Sequence, residues 1–161
     1  MHLVGDSSFK DAMAKVPTSV FVVGVHIEGL VVGCTISSVV SVDIERQVIS
    51  FVLQKNSSTL IAIKSKNEFG ISLLSNQQSE VSRYFSNQKK SLDQGEFVWD
   101  LETQSVPFIP NNAGSFHCSL DKIYELDNTT IVLAKVENFK VTNEGSPLMY
   151  WNRTYFSLNL E

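Results

Sequence analysis

"SVFVVGVHIEGLVVGCTISSVVSVD", residues 19–43, decides how the rest of the chain is read. It opens with two runs rich in β-branched residues separated by "IEG", where Gly29 can supply the positive φ of a tight hairpin turn. This predicts a hairpin over residues 19–36. The second half is less ordinary, because a stretch that reads as a buried strand carries Cys34, Thr35, Ser37, Ser38 and Ser41. A hydroxyl removed from water without a partner costs roughly 1–3 kcal/mol, so these groups either satisfy themselves on nearby backbone or face a ligand.

Upstream, "SSFKDAMAKVPTS" puts Phe9, Ala12, Met13 and Val16 on one helical face, with Ser7 or Ser8 as N-cap and Pro17 as the stop. Downstream, "RQVISFVLQ" reads as a strand and "SSTLIAIKSKN" as a short helix capped by Ser57 or Ser58. "EFGISLLS" returns to strand, and "QSEVSRYFSN" reads as a helix capped by Ser79. Residues 87–115, with Gly95, Pro107, Pro110 and Gly114, read as a long loop wrapping the surface and crossing a partner subunit. "FHCSLDKIYEL" and "TTIVLAKVENFKV" are strands around the turn "LDN", and "SPLMYWNRTYFSL" is a last strand pair. So many short strands with two or three short helices predict a mainly β fold, a small barrel whose closure removes exposed edges.

With 161 residues, 43% hydrophobic and 19% charged, the chain is expected to form a single globular domain over residues 1–161. A net charge of -4, with Lys89 and Lys90 as the one basic pair, argues against nucleic acid as a partner. No apolar run is long enough to span a bilayer, and "MHLVGDSSFK" lacks the pattern of a signal peptide, so the expected place is the cytoplasm, with no membrane partner. Cys34 and Cys118 stand in no C-x-x-C spacing and read as reduced, buried thiols. His2, His26 and His117 are isolated, so no metal site is expected. There is no G-x-S-x-G elbow, no Walker loop and no dinucleotide glycine loop.

A second segment complements the hydroxyl run. In "QKNSSTL", residues 54–60, Lys55, Ser57, Ser58 and Thr59 fall between the end of a strand and the start of a helix. A helix N-terminus offers free N–H groups and the positive end of its dipole, which suits a phosphate, although an ordinary N-cap has the same appearance. Thr35, Ser37 and Ser38 with Ser57 and Thr59 would then hold the heterocycle edge and the phosphate of one mononucleotide-like ligand.

The order of these segments resembles the flavin reductase-like family, the FMN-binding split barrels that include short-chain flavin reductases of two-component monooxygenases. "FKDAMAKVPTSVFVV" is similar to the family's F-R-x-A-L-G-x-F-A-T-G-V-x-V-V, "VGCTISSVVSVD" to V-G-M-T-A-N-S-F-T-S-V-S, and "QKNSSTL" to D-x-x-S-x-T-L. "NEFGISLLSNQQSEVSRYFS" resembles F-x-V-N-V-L followed by a helix ending in L-S-x-x-F-A. "CSLDKIYELDNTTIVLAKVENFKV" resembles the strand pair around G-D-H-T, and "SPLMYWNRTY" the terminal P-L-x-Y-H-x-G-x-Y. The similarity covers residues 9–156.

The resemblance implies a six-stranded Greek-key-type split β-barrel, usually a homodimer, binding FMN or FAD near the dimer interface. It implies hydride transfer from NADH or NADPH to the flavin, which is used in place or released to a partner oxygenase. Thr35, Ser37 and Ser38 would hold the ring's polar edge, and Gln54, Lys55, Ser57 and Thr59 the phosphate side, with Arg83 and Phe85 near phosphate and ring. Departures are Trp151 and Thr129 at positions where the family often has His, with Asn112 or His117 as candidates to compensate. Further departures are Ile36 for Ala, Ser37 for Asn, Gln54 for Asp, Ser72 for Asn and Arg153 for Gly. Trp151 would stack on the flavin, line another substrate's pocket, or simply pack. Three readings stay open: a flavin reductase, a flavin-binding carrier, sensor or electron-transfer protein that does not use NAD(P)H, and a flavin enzyme with another substrate.

Overall fold

A computed structural model describes residues 6–87, 92–93, 99–102, 106–142 and 145–158. The chain opens with helix α1 (Asp6–Met13), followed by β1 (Thr18–Ser19), β2 (Phe21–Ile27), β3 (Leu30–Ile36), β4 (Val40–Asp43) and β5 (Val48–Gln54). Next come α2 (Ser58–Lys66), β6 (Glu68–Leu73), α3 (Ser79–Ser86), β7 (Leu92–Asp93), β8 (Asp100–Glu102) and β9 (Val106–Phe108). Two long strands, β10 (Gly114–Glu125) and β11 (Thr129–Val141), and a hairpin of β12 (Leu148–Trp151) and β13 (Thr154–Ser157) complete it.

The main sheet runs in the order β4-β5-β11-β10-β6-β2-β3-β7, and all its pairings are antiparallel. Six of these strands, β5 to β3 in that order, form the barrel wall. The outermost two, β5 and β3, approach each other without pairing. The barrel is therefore split at that seam. α2 packs against β2, β3, β5 and β6, covering the open side, and it buries Leu60, Ala62 and Ile63 among Phe51, Phe69, Ile71 and Val132 of the core. A second apolar cluster lies under α3, where Val20, Val22, Leu74, Phe85, Ile109 and Leu148 meet.

The β2–β3 hairpin turns on Glu28 and Gly29 at φ 51 and 81, the paired positive values of a two-residue hairpin that matches strand twist. The β12–β13 hairpin does the same with Asn152 and Arg153 at φ 49 and 64. Arg153 thus stands where glycine is the cheaper residue, and its guanidinium donates to Asp11 Oδ1 of α1 at 2.6 Å.

Several expectations change. Ser7 and Ser8 lie inside α1 and so cannot be its N-cap, and whatever precedes Asp6 is outside the described residues. The apolar face of α1 is left open among the described residues: Phe9, Met13 and Val16 are all at least half exposed. Ser79 is already helical, and Gln78 is the N-cap. The Gln78 side chain accepts from Ser75 N at 2.9 Å and donates to Pro110 O at 2.7 Å.

The 87–115 stretch is not simply a surface loop. Its described parts form β7, β8 and β9, with Val106, Phe108 and Ile109 buried. Trp99 occupies notches at Gly24 and Gly33, where a Cβ would lie 2.7 and 3.1 Å from its ring, and a Cβ on Gly70 would overlap Pro107 O. Ser72 completes the anchorage by accepting the Ile109 N–H at 2.9 Å. Gly95, Lys89 and Lys90 lie outside the described residues.

Candidate functional site

Residues 32–43 are not one buried strand. β3 ends at Ile36, residues 37–39 form a link, and Val40 starts an exposed edge strand that carries Ser41 into solvent. Thr35 and Ser38 find partners within the fold. Thr35 Oγ1 donates to Ser82 O of α3 at 2.8 Å, and Ser38 Oγ accepts the Val52 N–H of β5 at 2.9 Å. The second bond crosses the seam, where no strand supplies that acceptor.

Opposite the link, β5 ends at Gln54 and the chain turns into α2. Ser57 N donates to Gln54 O at 3.1 Å, Lys55 N donates to Asn128 O at 3.1 Å, and Ser57, extended at φ -71 and ψ 142, caps the helix by accepting Leu60 N at 3.2 Å. Thr59, in the first turn of α2, is completely buried, and its Oγ1 has no hydrogen-bond partner among the described residues. The Thr59 hydroxyl acts on the Cys34 thiol and draws it down. Burial outweighs that effect and pushes Cys34 up to about 11 from its ordinary 9.0. A neutral thiol is the form present there at neutral pH.

Between these two walls lies a cavity of about 930 Å³ at the barrel's seam. That is the size of a pocket for a drug- or cofactor-sized molecule. Thr35, Ser37, Ser38, Gln54, Lys55, Ser57, Thr59 and Phe85 all line it, and so does Thr129. Phe85, buried beneath α3, stacks at a tilt on Trp99 at 5.1 Å, so Trp99 backs this wall.

Arg83 and Trp151 are not brought to the cavity. Arg83 pairs with Glu80 and lies 5.2 Å over the Tyr155 ring. Trp151, 45% exposed, donates its indole N–H to Lys15 O at 3.0 Å and so ties the end of α1 to the β12–β13 hairpin. Asn112 donates to Ile109 O, and His117 faces Glu68 at 3.9 Å; neither lines the cavity.

Reading the sequence missed Asp127 and Asn128, which line the cavity, and Glu125, which reaches its mouth through Lys55. The signal was the strand pairing: Thr129 sits opposite Gln54, so the "LDN" turn falls beside residues 54–57. Chemically, the α2 N-terminus with Lys55 suits an anion, while the exposed Ser37 and the backbone of the link suit the polar edge of a planar ring.

A family model described as "Flavin reductase like domain" matches residues 13–159. The chain is 29% identical over 153 residues to the actinorhodin polyketide dimerase of Streptomyces coelicolor, covering 92% of this chain and 84% of that one. It is 25% identical over 151 residues to the reductase component of the Thermus thermophilus 4-hydroxyphenylacetate 3-monooxygenase, covering 92% and 93%. The solved structure of the Streptomyces globisporus NADH:FAD oxidoreductase SgcE6, in complex with NAD and FAD fragments, is similar at a TM-score of 0.89. Its identity is 20%, covering 99% of this chain and 98% of that one, and the fold is shared.

Proposed function

This chain belongs to the flavin reductase-like domain family, and we propose that it is an NAD(P)H-dependent flavin oxidoreductase that takes FMN or FAD and passes reduced flavin to a partner oxygenase. The observation that carries the reading is the seam cavity itself, where Thr59 Oγ1 is buried at the N-terminus of a helix without a hydrogen-bond partner among the described residues. An uncompensated hydroxyl in that position fits a ligand with anionic oxygens better than an empty structural role.

The bound flavin would supply the hydride-accepting chemistry, and the protein's part is to bind and orient it. Lys55, Ser57 and Thr59, with the α2 N-terminus and neighbouring Gln54, form the proposed phosphate end. Because the Thr35 and Ser38 hydroxyls are engaged within the fold, the ring edge falls to Ser37 and to backbone N–H groups of the link, with Phe85 forming the apolar wall. Arg83 and Trp151 are left out of the proposed site.

The reading includes a homodimer and a cytoplasmic place of action. Support for the dimer is the uncovered apolar face of α1, with Phe9, Met13 and Val16, and the exposed Val40, Val42 and Ile44 around edge strand β4. Support for the oxygenase partner is the similarity to the Thermus thermophilus protein that is the reductase component of a monooxygenase.

A second reading, a flavin enzyme with another substrate, is favoured by Thr129 at the cavity and by the relative that is named a polyketide dimerase. One experiment separates them. FMN is bound first, and NADH and then NADPH are added anaerobically while the flavin's visible absorbance is followed. Bleaching by either nucleotide is the expected result; tight FMN binding with no bleaching by both would replace the first reading with the second.

A further inference from the structure

Among the described residues lining the cavity, Lys55 is the one cation and Asp127 the one carboxylate. The cation is already engaged. Glu125, the last residue of β10, accepts from Lys64 Nζ through Oε1 at 3.0 Å and lies 3.6 Å from Lys55 Nζ through Oε2. Lys64 comes from the last turn of α2, so one carboxylate bridges the residue at the mouth of the site and the far end of the helix whose start would receive phosphate. The two lysines hold the Glu125 carboxyl below the usual carboxylate range, which keeps it charged at neutral pH.

All three side chains are well exposed, so these pairs add little to the stability of the fold. Their effect falls instead on a competitor for Lys55. The geometry points to Glu125 as an affinity-setting residue that competes with the flavin phosphate for Lys55 and so keeps phosphate-bearing flavin exchangeable. This rests on the flavin reading above and deepens it, since a reductase that passes flavin onward needs a site that lets it go.

The test compares FMN with riboflavin, which has the same ring and no phosphate, by titration of the full chain at low, fixed ionic strength. Wild type, Glu125→Gln, Lys55→Gln and the double variant are measured together. Glu125→Gln is expected to tighten FMN by about threefold or more and to leave riboflavin unchanged, an advantage that shrinks as salt is raised. Lys55→Gln is expected to weaken FMN, and in that background Glu125→Gln should no longer tighten it.

An unchanged ratio of FMN to riboflavin affinity in Glu125→Gln overturns the inference. So does an equal gain with and without Lys55, because Glu125 would then act by general repulsion. Binding of neither flavin to wild type removes the reading of function and this inference with it, an outcome distinct from either of the other two.

Discussion

At the barrel wall of the cavity, Thr35 and Ser38 each have a hydrogen-bond partner within the fold, whereas at the α2 end Thr59 is fully buried and has none among the described residues. The two ends look alike in sequence, as short runs of hydroxyl residues after a strand. Their energetics differ. Thr35 holds β3 to α3 and Ser38 bridges the seam, so both stabilise the folded chain by roughly 1 kcal/mol. Thr59 costs roughly 1–3 kcal/mol for as long as its oxygen stays uncompensated. Hydroxyl density therefore leads to the cavity but does not separate structural hydroxyls from ligand-facing ones; an unmet hydrogen bond beside a helix N-terminus is the better sign for the latter.

Substitutions at the two ends should separate stability from binding. The largest effect is expected from Phe85→Ala, which removes a fully buried ring between α3 and Trp99 and should cost about 3–5 kcal/mol in urea unfolding. A stable Phe85→Ala protein that has lost only flavin affinity would break the assignment of this wall to structure. Thr59→Val keeps the shape and deletes the orphan oxygen. Stability should rise by about 1 kcal/mol, while FMN affinity falls about tenfold, near 1.4 kcal/mol. If FMN affinity holds, Thr59 is only a buried misfit.

Thr35→Val should lower stability by about 1 kcal/mol and change FMN affinity little, the reverse of Thr59→Val. Last comes an effect that is absent at neutral pH. The Cys34 thiol is pushed up to about 11 in the folded chain against an ordinary 9.0, so the unfolded chain sheds its proton first. Stability from this group is complete below pH 9.0 and is lost as pH rises toward 11. Cys118, pushed up to about 12 by burial and by the Glu137 carboxylate, acts in the same direction. Urea midpoints measured across that alkaline range should fall less steeply in Cys34→Ala than in wild type.

Much of this organisation is legible in the sequence where the information is local. "IEG" fixes the first hairpin because positive φ at Gly29 is a property of that residue, and Ser57 before an apolar helix reads directly as a cap. What escaped depends on distant partners. Trp99, Pro107 and Phe108 hold their places because Gly24, Gly33 and Gly70, far away in sequence, leave room for them. The fate of each hydroxyl was likewise hidden, since Ser82 O and Val52 N are named by topology alone. Trp151 illustrates the limit from the other side: its motif position suggests the ligand, yet its indole N–H is committed to Lys15 O.

The most direct test of the whole account is a crystal structure of the protein with FMN. The phosphate is expected at the N-terminus of α2 beside Lys55 and Thr59, with the polar edge of the ring along residues 37–38. FMN bound away from the seam, or within it with its phosphate turned from α2, would contradict it.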